Sequence, residues 1–436
     1  MAKILEPQLE YSSLNRFMSR EEIDYVIRMY GTPLYIVDED TMHRKVRELL
    51  DAYKGFKGSV DVAYSIKANF TPAVIKAFMK DHIMFDTTSL GELYFYKKLN
   101  GNMNKVIYTS VTEEYEEYLQ VLKEGIDKVV VSSYNGLLNL RDAAKALDLD
   151  VNTIIRINPE VGVKASIRAS YRDGKFGVPL HTNTVDNASN ILKYIMNSEH
   201  LKFDGFHFHL GSQITDYTCY SNALAKLDQF IIKMKKVYPN LTINTLDIGG
   251  GIPIFYGNKV PAPSEIASSI IDKLNHIFDN HGNFHLIIES GRYLIAESMI
   301  LLSKVVNIKE YNNDKFAILD SGYHLLLDAA LLKQPYPQEI INNNKRKDTK
   351  RIHLAGRLCD TYDIFPRSKI SRLDNIDTNS YVIFYNVGAY SIVFNMPFHC
   401  QTKPAILMKD SNDNIKLIRK QQSIEELFKE EGGDLV

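Results

Sequence analysis

Short runs of β-branched and other apolar residues alternate with helical patterns from about residue 60 onward. Eight runs are typical of strands: 60–66, 83–88, 105–109, 128–132, 152–158, 203–210, 243–248 and 285–289. The helical segments between them are Pro72–Lys80, Gly91–Leu99, Thr112–Gly125, Tyr134–Leu147, Thr184–Ser198, Tyr217–Tyr238 and Pro263–Asn280. The strands are apolar at nearly every position, as in a parallel sheet with both faces buried. The alternation predicts an α/β fold, a closed (β/α)8 barrel over residues 38–293. A doubly wound sheet would carry its glycines after the first strand, whereas here they follow the seventh.

The pattern changes after Tyr293, where helical periodicity becomes rare. Five later segments are typical of strands: 299–309, 315–320, 351–358, 381–388 and 404–418. A further apolar run, Leu34–Val37, precedes the barrel. The sequence therefore predicts a second, β-rich domain of the sandwich or barrel type, formed by residues 1–37 together with 294–436.

Composition and charge exclude two classes of protein. The 436 residues include 52 Lys and Arg against 53 Asp and Glu, a formal net charge of −1. A general nucleic-acid binder needs a basic excess, and we interpret the basic run 344–347 as a solvated loop. No stretch approaches the roughly 18 consecutive apolar residues of a membrane span. We therefore expect neither nucleic acid nor a membrane as partner.

The cysteines and the first residues bear on location and metal binding. The segment Met1–Glu10 lacks the basic stretch and apolar run of a secretory signal. The cysteines are few and odd in number, Cys219, Cys359 and Cys400, and they lack the spacing of metal ligands. We expect a cytoplasmic protein without a metal site.

A lysine and several glycines follow the predicted strands at the end where barrel active sites form. Lys67 closes the first strand. Taken alone it fits a side chain that extends its charge to water, but a partly desolvated lysine also forms Schiff bases. Gly249–Gly251 follows the seventh strand and Gly291 the eighth, and each loop alone fits a tight turn. Together they favour a phosphate site, because barrels usually bind phosphate after these strands.

Two histidines and a glutamate complete the predicted mouth. His207 and His209 alternate along one strand and are expected to share a face. His207 fits a hydrogen-bonded core residue as well as a functional one, whereas His209 fits stacking on a planar cofactor. Glu289 ends a buried strand, where a carboxylate is costly unless it pairs with a hydrogen-bonding cation. A protonated pyridine nitrogen is such a cation, and it makes the cofactor an electron sink.

Nine short motifs occur in a fixed order along most of the chain. They are YSIKAN (64–69), DTTSLGEL (86–93), RINPE (156–160), KFG (175–177), HFHLGSQ (207–213), DIGGG (247–251), ESGR (289–292), LCD (358–360) and VGAY (387–390). Each is weak alone. Together they resemble the fold-type III pyridoxal-phosphate decarboxylases, the family of the diaminopimelate, ornithine and arginine decarboxylases. HFHLGSQ followed by IPIFY is closest to the diaminopimelate decarboxylase branch, which implies conversion of meso-diaminopimelate to L-lysine and CO₂.

The resemblance implies a pyridoxal 5′-phosphate site in the barrel. Lys67 would bond to the cofactor, His209 would stack on its ring, and Glu289 would pair with its nitrogen. Three further residues would position Lys67 and Glu289: Asp86, Glu92 and Arg156. The remaining contacts to the cofactor would come from Ser212, Gly250, Gly251, Gly291, Arg292 and Tyr390.

The resemblance also implies a substrate site shared between subunits. Cys359 would return a proton after CO₂ has left, and Asp360 would contact the distal end of an amino-acid substrate, with Tyr390 nearby. In this family the cysteine loop comes from the neighbouring subunit, so a homodimer with shared active sites is expected. Without the resemblance, Cys359 fits a small buried apolar residue.

Several positions depart from the diaminopimelate decarboxylase pattern. The segment that normally leads to a substrate-binding arginine here ends in Asp328, and the residue before Leu358 is Arg357. An anion in place of a cation reverses the charge that a substrate site prefers. Asp328 therefore suggests a substrate whose distal end carries an amine without a carboxylate. Alternatively, Asp328 points away and Arg357 or Arg292 binds the carboxylate. The segment 395–406 resembles decarboxylases of carrier-bound or siderophore-precursor amino acids, so a carrier-bound substrate stays open.

Two other functions share this fold. A racemase of the alanine racemase kind prefers an uncharged pyridine held by arginine, and Glu289 argues against it. A non-catalytic binding protein like the antizyme inhibitors would have lost cofactor residues, whereas Lys67 and His209 are both present. The sequence therefore favours an amino-acid α-decarboxylase.

Overall fold

The computed structural model describes residues 14–172, 174–342, 351–367 and 376–436. The basic run 344–347 and the segment Met1–Glu10 lie outside these residues. The chain divides into two compact units. The first comprises the described residues of Met1–Met42, Ile254–Lys259 and Leu294–Val436, and the second comprises those of His43–Pro253 and Val260–Tyr293. Residues 38–42 and 254–259, which the sequence prediction placed in the barrel, thus belong to the first unit.

The elements are numbered in chain order. The strands are β1 (Leu34–Asp38), β2 (Val60–Ser65), β3 (Met84–Thr87), β4 (Val106–Thr109), β5 (Lys128–Val131), β6 (Val151–Asn158), β7 (Ile167–Arg168), β8 (Val178–Pro179), β9 (Leu201–His207), β10 (Gly211–Ser212), β11 (Thr245–Asp247), β12 (His285–Ser290), β13 (Met299–Tyr311), β14 (Asp314–Leu319), β15 (Gln338–Ile341), β16 (Arg351–Ala355), β17 (Tyr381–Tyr385), β18 (Ala405–Lys409) and β19 (Ile415–Arg419). The α-helices are α1 (Arg20–Tyr30), α2 (Glu39–Ala52), α3 (Pro72–Met79), α4 (Leu90–Lys98), α5 (Tyr115–Lys123), α6 (Tyr134–Leu147), α7 (Ala188–Ile195), α8 (Thr218–Lys235), α9 (Pro263–His281), α10 (Arg292–Ile295), α11 (Leu327–Leu331) and α12 (Ile424–Glu430).

The second unit is the closed parallel barrel that the sequence predicts. Its eight strands pair in the order β2–β3–β4–β5–β6–β9–β11–β12, and β12 pairs with β2 to close the ring. One cluster of buried residues takes a member from each of six strands: Ala63, Met84, Ile107, Val130, Ile154 and Ile287. Full burial of each larger side chain in this cluster stabilises the fold by about 1.5–3 kcal/mol. The parallel arrangement brings the carboxyl ends of all eight strands to one mouth.

Polar caps start the helices that follow the strands. The side chains of Ser89 and Ser133 accept hydrogen bonds from backbone N–H groups in the first turns of α4 and α6. Asn187 does the same for α7. These contacts satisfy backbone donors that have no partner within the helix, which fixes where each helix begins. The strand-to-helix turns at the barrel mouth are therefore set by local sequence.

The first unit contains a mixed sheet in the order β15–β17–β13–β1–β18–β19, and β14 pairs with both β13 and β16. The apolar run Leu34–Val37 falls in β1, which pairs antiparallel with β13 and parallel with β18. Its core includes Leu34, Ile36, Leu302, Ile383 and Leu407. A β-rich unit was therefore predicted with the correct class, and its N-terminal strand was predicted as well.

The strands of the first unit differ from the prediction at several points. The segment 404–418 is a hairpin, because the Asp410 carboxylate accepts the N–H groups of Asn412 and Asn414 and so forms a turn. The predicted strand 351–358 ends at Ala355, and β15 was not predicted.

No helix in the described parts of the chain has the length and apolar character needed to cross a bilayer.

Candidate active site

Lys67 lies directly after the first barrel strand and contacts a buried acid on the next. β2 ends at Ser65, and a 3₁₀ turn over Ile66–Ala68 carries Lys67. Its Nζ donates a hydrogen bond to Asp86 Oδ2 at 2.9 Å. The Lys67 side chain is 40% exposed, whereas that of Asp86 is fully buried. The side chain is thus partly exposed, and its amine is held by a buried carboxylate.

The surroundings of Asp86 disfavour the charged form of its carboxyl group. Burial raises the pKa of its carboxyl group, the nearby charge of Glu289 raises it further, and Lys67 opposes both effects without cancelling them. Glu92, whose Oε2 accepts the Thr88 N–H at 2.6 Å, also has a pKa raised by burial. Asp86 therefore takes up a proton more readily than an exposed aspartate.

Glu289 lies in β12 and is only 3% exposed. Its Oε1 is 3.5 Å from Nε2 of His207 and has no hydrogen-bond partner among the residues that the structure describes. Burial would raise the pKa of Glu289, but its interactions with His207 and the charge of Lys67 outweigh burial and lower it. Glu289 is consequently an ionised, buried carboxylate with an acceptor atom to spare.

His209 lies two residues beyond the end of β9, so the prediction that His207 and His209 share one strand is wrong. The strand ends at His207, and His209 belongs to the following loop. Its Nδ1 accepts the Gly250 N–H at 3.1 Å, which requires that nitrogen to be unprotonated. Burial lowers the pKa of His209 to about 3. The contact of 3.8 Å between Nδ1 and Glu289 Oε2 is therefore not an ion pair at neutral pH.

Arg156 supplies a buried positive charge from β6. It is 9% exposed, and its guanidinium carbon lies 4.9 Å from the ring centre of Phe176. Burial lowers the pKa of Arg156, and the charges of Glu289 and Asp86 oppose that effect. Since arginine stays protonated in proteins, Arg156 balances part of the negative charge of these two acids.

The glycines after β11 make close backbone contacts. A Cβ on Gly250 would lie 2.6 Å from the Glu289 carbonyl oxygen. A Cβ on Gly251, where φ is +110°, would lie 2.6 Å from the Gly211 carbonyl oxygen. Both positions therefore require glycine, and they hold the loop against β12 and the segment after β9.

The loop after β12 makes a similar approach to the segment that carries Lys67. A Cβ on Gly291 would lie 2.8 Å from the Cβ of Ala68. The next residue, Arg292, is 6% exposed, and its Nε donates to Ser212 Oγ at 3.3 Å. The structure thus brings Ser212, Gly291 and Arg292 into one corner of the barrel mouth.

Cys359 follows β16 in the β-rich unit, and its side chain is exposed. The alternative interpretation of Cys359 as a buried apolar residue is therefore wrong. Its N–H donates to His399 Nδ1 at 3.4 Å, and Asp360 Oδ1 accepts the Tyr362 N–H at 2.7 Å. The thiol is available to react or to meet another surface.

Asp363, which the sequence analysis missed, holds the Cys359 loop. Its Oδ1 accepts the Tyr323 N–H at 2.7 Å, and its Oδ2 accepts the Leu358 N–H at 2.8 Å. A Cβ on Gly356 would lie 2.1 Å from Oδ2. Burial raises the pKa of Asp363 to about 6. An aspartate four residues after a candidate cysteine, with a glycine before it, was the available signal.

The other predicted substrate residues also lie in the β-rich unit. Arg357 is exposed, and its Nη1 donates to the Asp320 carbonyl at 3.4 Å. Asp328 is 4% exposed within α11, and Tyr390 is half-buried with φ +58°. That these residues share one site with Lys67 stays a prediction.

The barrel residues define a class of protein. An amine held by a buried acid at the mouth of a parallel barrel, with a second buried acid that is ionised, is the arrangement of barrel enzymes that bind a carbonyl cofactor through lysine. Residues 39–296 match the model of the pyridoxal-dependent decarboxylase, pyridoxal binding domain. The chain therefore belongs to the pyridoxal-dependent decarboxylase family, as the sequence motifs indicate.

Similar proteins extend over nearly the whole chain. The diaminopimelate decarboxylase of Methanocaldococcus jannaschii is 27% identical over 407 residues, covering 92% of this chain and 91% of that protein. That of Aquifex aeolicus is 27% identical over 432 residues, covering 97% of each. The crystal structure of the M. jannaschii enzyme with L-lysine is 26% identical, has a TM-score of 0.85 and covers 93% of each chain.

The residues present fit pyridoxal phosphate. Glu289 Oε1 is a buried acceptor without a hydrogen-bond partner in the described part of the chain, which suits a protonated ring nitrogen. The Lys67 side chain is partly exposed, and the glycine loops leave no room for side chains. The mouth therefore offers an amine, an anion and bare backbone, which match the aldehyde, the ring nitrogen and the phosphate of that cofactor.

Proposed function

We propose that the chain is a carboxy-lyase that removes the α-carboxylate of meso-diaminopimelate, giving L-lysine and CO₂, with pyridoxal 5′-phosphate as cofactor. The observation that carries the proposal is the Lys67–Asp86 hydrogen bond at 2.9 Å beside the ionised, buried Glu289. The full-length similarity to proteins named diaminopimelate decarboxylase supports the substrate.

The barrel residues would hold the cofactor. Lys67 would bond to its aldehyde carbon, Glu289 would bind its ring nitrogen, and the neutral imidazole of His209 would lie against the ring. The phosphate would be bound by Ser212, Gly250, Gly251, Gly291 and Arg292, with Tyr390 from the β-rich unit. Bound in this way, pyridoxal phosphate supplies an electron sink for the electron pair left by CO₂.

Asp86 prepares Lys67 for this task. The Lys67 nitrogen must lose a proton before it is nucleophilic, and Asp86 is the acid 2.9 Å from it. Because burial raises the pKa of Asp86, its carboxylate is a better proton acceptor than an exposed aspartate would be. Asp86 thus orients the amine and takes its proton.

Glu289 keeps its negative charge because its neighbours favour it. His207 and Lys67 lower its pKa, and Arg156 lies within electrostatic reach. His209 stays neutral and leaves the carboxylate free to bind a cation. The arrangement therefore favours a protonated ring nitrogen, which decarboxylation needs and a racemase of the alanine racemase kind avoids.

Cys359 would return a proton to the α-carbon from the neighbouring subunit of a homodimer. Two features of the β-rich unit support this. The Cys359 side chain is exposed in the single chain, and Asp363 fixes the loop that carries it. A rigid loop with an exposed thiol suits a residue that completes a partner's site. Asp360, on the same loop, would contact the distal end of the substrate.

A second candidate is the decarboxylation of a diamino acid without a distal carboxylate, such as ornithine or lysine, free or carrier-bound. It rests on Asp328, which stands where the diaminopimelate branch has arginine. Asp328 is only 4% exposed, whereas Arg357 is exposed. This favours Arg357 as the cation for a distal carboxylate, and with it diaminopimelate as substrate.

The cysteines support a cytoplasmic location. All three are free, and Cys359 and Cys400 are exposed. Exposed free thiols, one of them catalytic, are best preserved in a reducing compartment. The proposed enzyme would therefore work in the cytoplasm.

A substrate panel tests the proposed function. Release of CO₂ from meso-diaminopimelate, ornithine, lysine and arginine is measured side by side with added pyridoxal phosphate, and Lys67→Ala serves as the inactive control. We expect turnover of diaminopimelate far above that of the others. Turnover of ornithine or lysine alone would favour the second candidate. Exchange of the α-proton with D₂O without CO₂ release would instead indicate a racemase.

A further inference from the structure

Three buried polar side chains meet at the ends of adjacent barrel strands. His207 is the last residue of β9 and pairs with Asp247, the last residue of β11. On its other side Asp247 pairs with Ile287 of β12, and Glu289 lies two residues after Ile287. Their exposures are 1%, 0% and 3%. One nitrogen or oxygen atom from each lies within 4.8 Å of the others. The three groups are therefore close enough for a charge on one to act on the other two.

The hydrogen bonds of this cluster are incomplete. Asp247 Oδ1 accepts the Gly249 N–H at 2.8 Å. Within the described ranges no hydrogen bond reaches Asp247 Oδ2, either ring nitrogen of His207, or Glu289 Oε1. Burying polar atoms in this way costs free energy unless they find one another. Two ionised carboxylates this close together in a buried site would repel each other, which favours a proton on one of them.

We propose that Asp247 is held as the neutral acid and, through His207, keeps Glu289 ionised toward the ring nitrogen of the cofactor. An oxygen of Asp247 lies within 4.8 Å of an imidazole nitrogen of His207, and Nε2 of His207 lies 3.5 Å from Glu289 Oε1. His207 and Asp247 are thus positioning residues that act through Glu289. This inference rests on the proposed function, because it needs pyridoxal phosphate in the barrel.

The electrostatics of the two acids agree with this assignment. Burial raises the pKa of Asp247 well above its usual range, and the charge of Glu289 raises it further. Glu289 behaves in the opposite way, because its neighbours lower its pKa against the effect of burial. The two acids thus hold different protonation states, one neutral and one charged, as in other paired carboxylates of active sites.

The same three side chains also form a set that could bind a divalent metal ion. Arg156 argues against that use, because its charge acts on both Asp247 and Glu289 and would repel a metal cation. Metal content is therefore an outcome of the test.

The test reads the protonation of the cofactor ring directly. Holoenzyme is prepared with pyridoxal phosphate labelled with ¹⁵N in the ring, and the ¹⁵N shift is measured for wild type and three variants. His207→Gln keeps an N–H near the Nε2 position, His207→Asn does not reach it, and Asp247→Asn keeps a donor in place of the acid hydroxyl. His281→Asn is the matched control, since His281 is also buried and binds Asp228 at 2.6 Å.

We expect a protonated ring in wild type, His207→Gln, Asp247→Asn and His281→Asn, and an unprotonated ring in His207→Asn. CO₂ release by His207→Asn should fall roughly tenfold to hundredfold in kcat with little change in KM, the usual scale for losing a partner of a key ligand. A protonated ring in His207→Asn, or one bound metal ion per wild-type chain, would overturn the proposed role of His207 and Asp247 and leave the proposed function standing. A wild-type protein that takes up no pyridoxal phosphate would overturn the proposed function as well.

Discussion

The amine of Lys67 donates a hydrogen bond of 2.9 Å to Asp86, which has no exposed surface on its side chain. In the proposed function this acid orients the amine and accepts its proton. Asp86→Asn should therefore slow attachment of pyridoxal phosphate to Lys67 by about tenfold or more, because an amide does not take up that proton. The measurement is the growth of the visible absorption band after the cofactor is added to the apoenzyme at pH 7.

Asp61→Asn is the matched control for that experiment. Asp61 lies near the start of the same strand and pairs with His285 at 3.1 Å and Lys105 at 3.5 Å. Its loss should leave the attachment rate unchanged. Equal rates for wild type and Asp86→Asn would show that Asp86 has only a structural part.

His209 should make the fold less stable in acid. Its pKa is lowered from 6.5 to about 3 in the folded chain, so the unfolded chain binds a proton first as the pH falls. The stability linked to this group is complete above pH 6.5 and is lost progressively down to about pH 3. Between pH 7 and pH 5 the loss should be about 2 kcal/mol.

Urea unfolding of wild type and His209→Gln at pH 7 and pH 5 measures this effect. The variant lacks the titrating group, so its stability should change less between the two pH values, by about 2 kcal/mol. An identical change in both proteins would mean that His209 titrates normally in the fold.

Gly356 should be essential to the Cys359 loop. A methyl group there would lie 2.1 Å from Asp363 Oδ2 and would displace the carboxylate that holds Leu358 and Tyr323. Gly356→Ala should reduce CO₂ release at least about tenfold, while the barrel still binds pyridoxal phosphate. Gly162→Ala is the control, since no atom lies within 4 Å of its added methyl.

The readout separates the two units. Cofactor absorption reports the barrel, and CO₂ release reports the complete site. A full loss of cofactor binding in Gly356→Ala would contradict a local effect, and full activity would show that the Cys359 loop tolerates displacement.

The proposed homodimer with shared active sites leads to a quantitative prediction. Lys67→Ala and Cys359→Ala should each be nearly inactive. After the two are unfolded together and refolded as an equal mixture, half of the dimers pair one variant with the other, and one of their two sites is intact. Activity should then return to about a quarter of wild type. No recovery would indicate that Lys67 and Cys359 act within one chain.

The barrel was predictable because its pattern is redundant. Eight strands, each buried on both faces, and seven intervening helical patterns all indicate the same topology, and the caps at Ser89 and Ser133 are local. Lys67, His209 and Glu289 could be found because strand ends converge at the barrel mouth. Individual turns were harder to predict: the turn at Asp410, which divides the predicted strand 404–418 into a hairpin, was missed.

Two parts of the site could not be read from the chain. His207 and Asp247 are 40 residues apart in sequence, and only the pairing of β9 with β11 sets them opposite each other. Asp363 has a role only because the Tyr323 and Leu358 N–H groups both point at it. These relationships are tertiary, so residue type and spacing carry little trace of them.

The central claim is that Lys67 binds pyridoxal phosphate, and borohydride reduction followed by peptide mass spectrometry tests it most directly. The protein is incubated with the cofactor, reduced and digested. The account predicts one phosphopyridoxyl group per chain, located on Lys67 and absent from Lys67→Ala. A chain that carries no such group, or carries it at another lysine, would contradict the account.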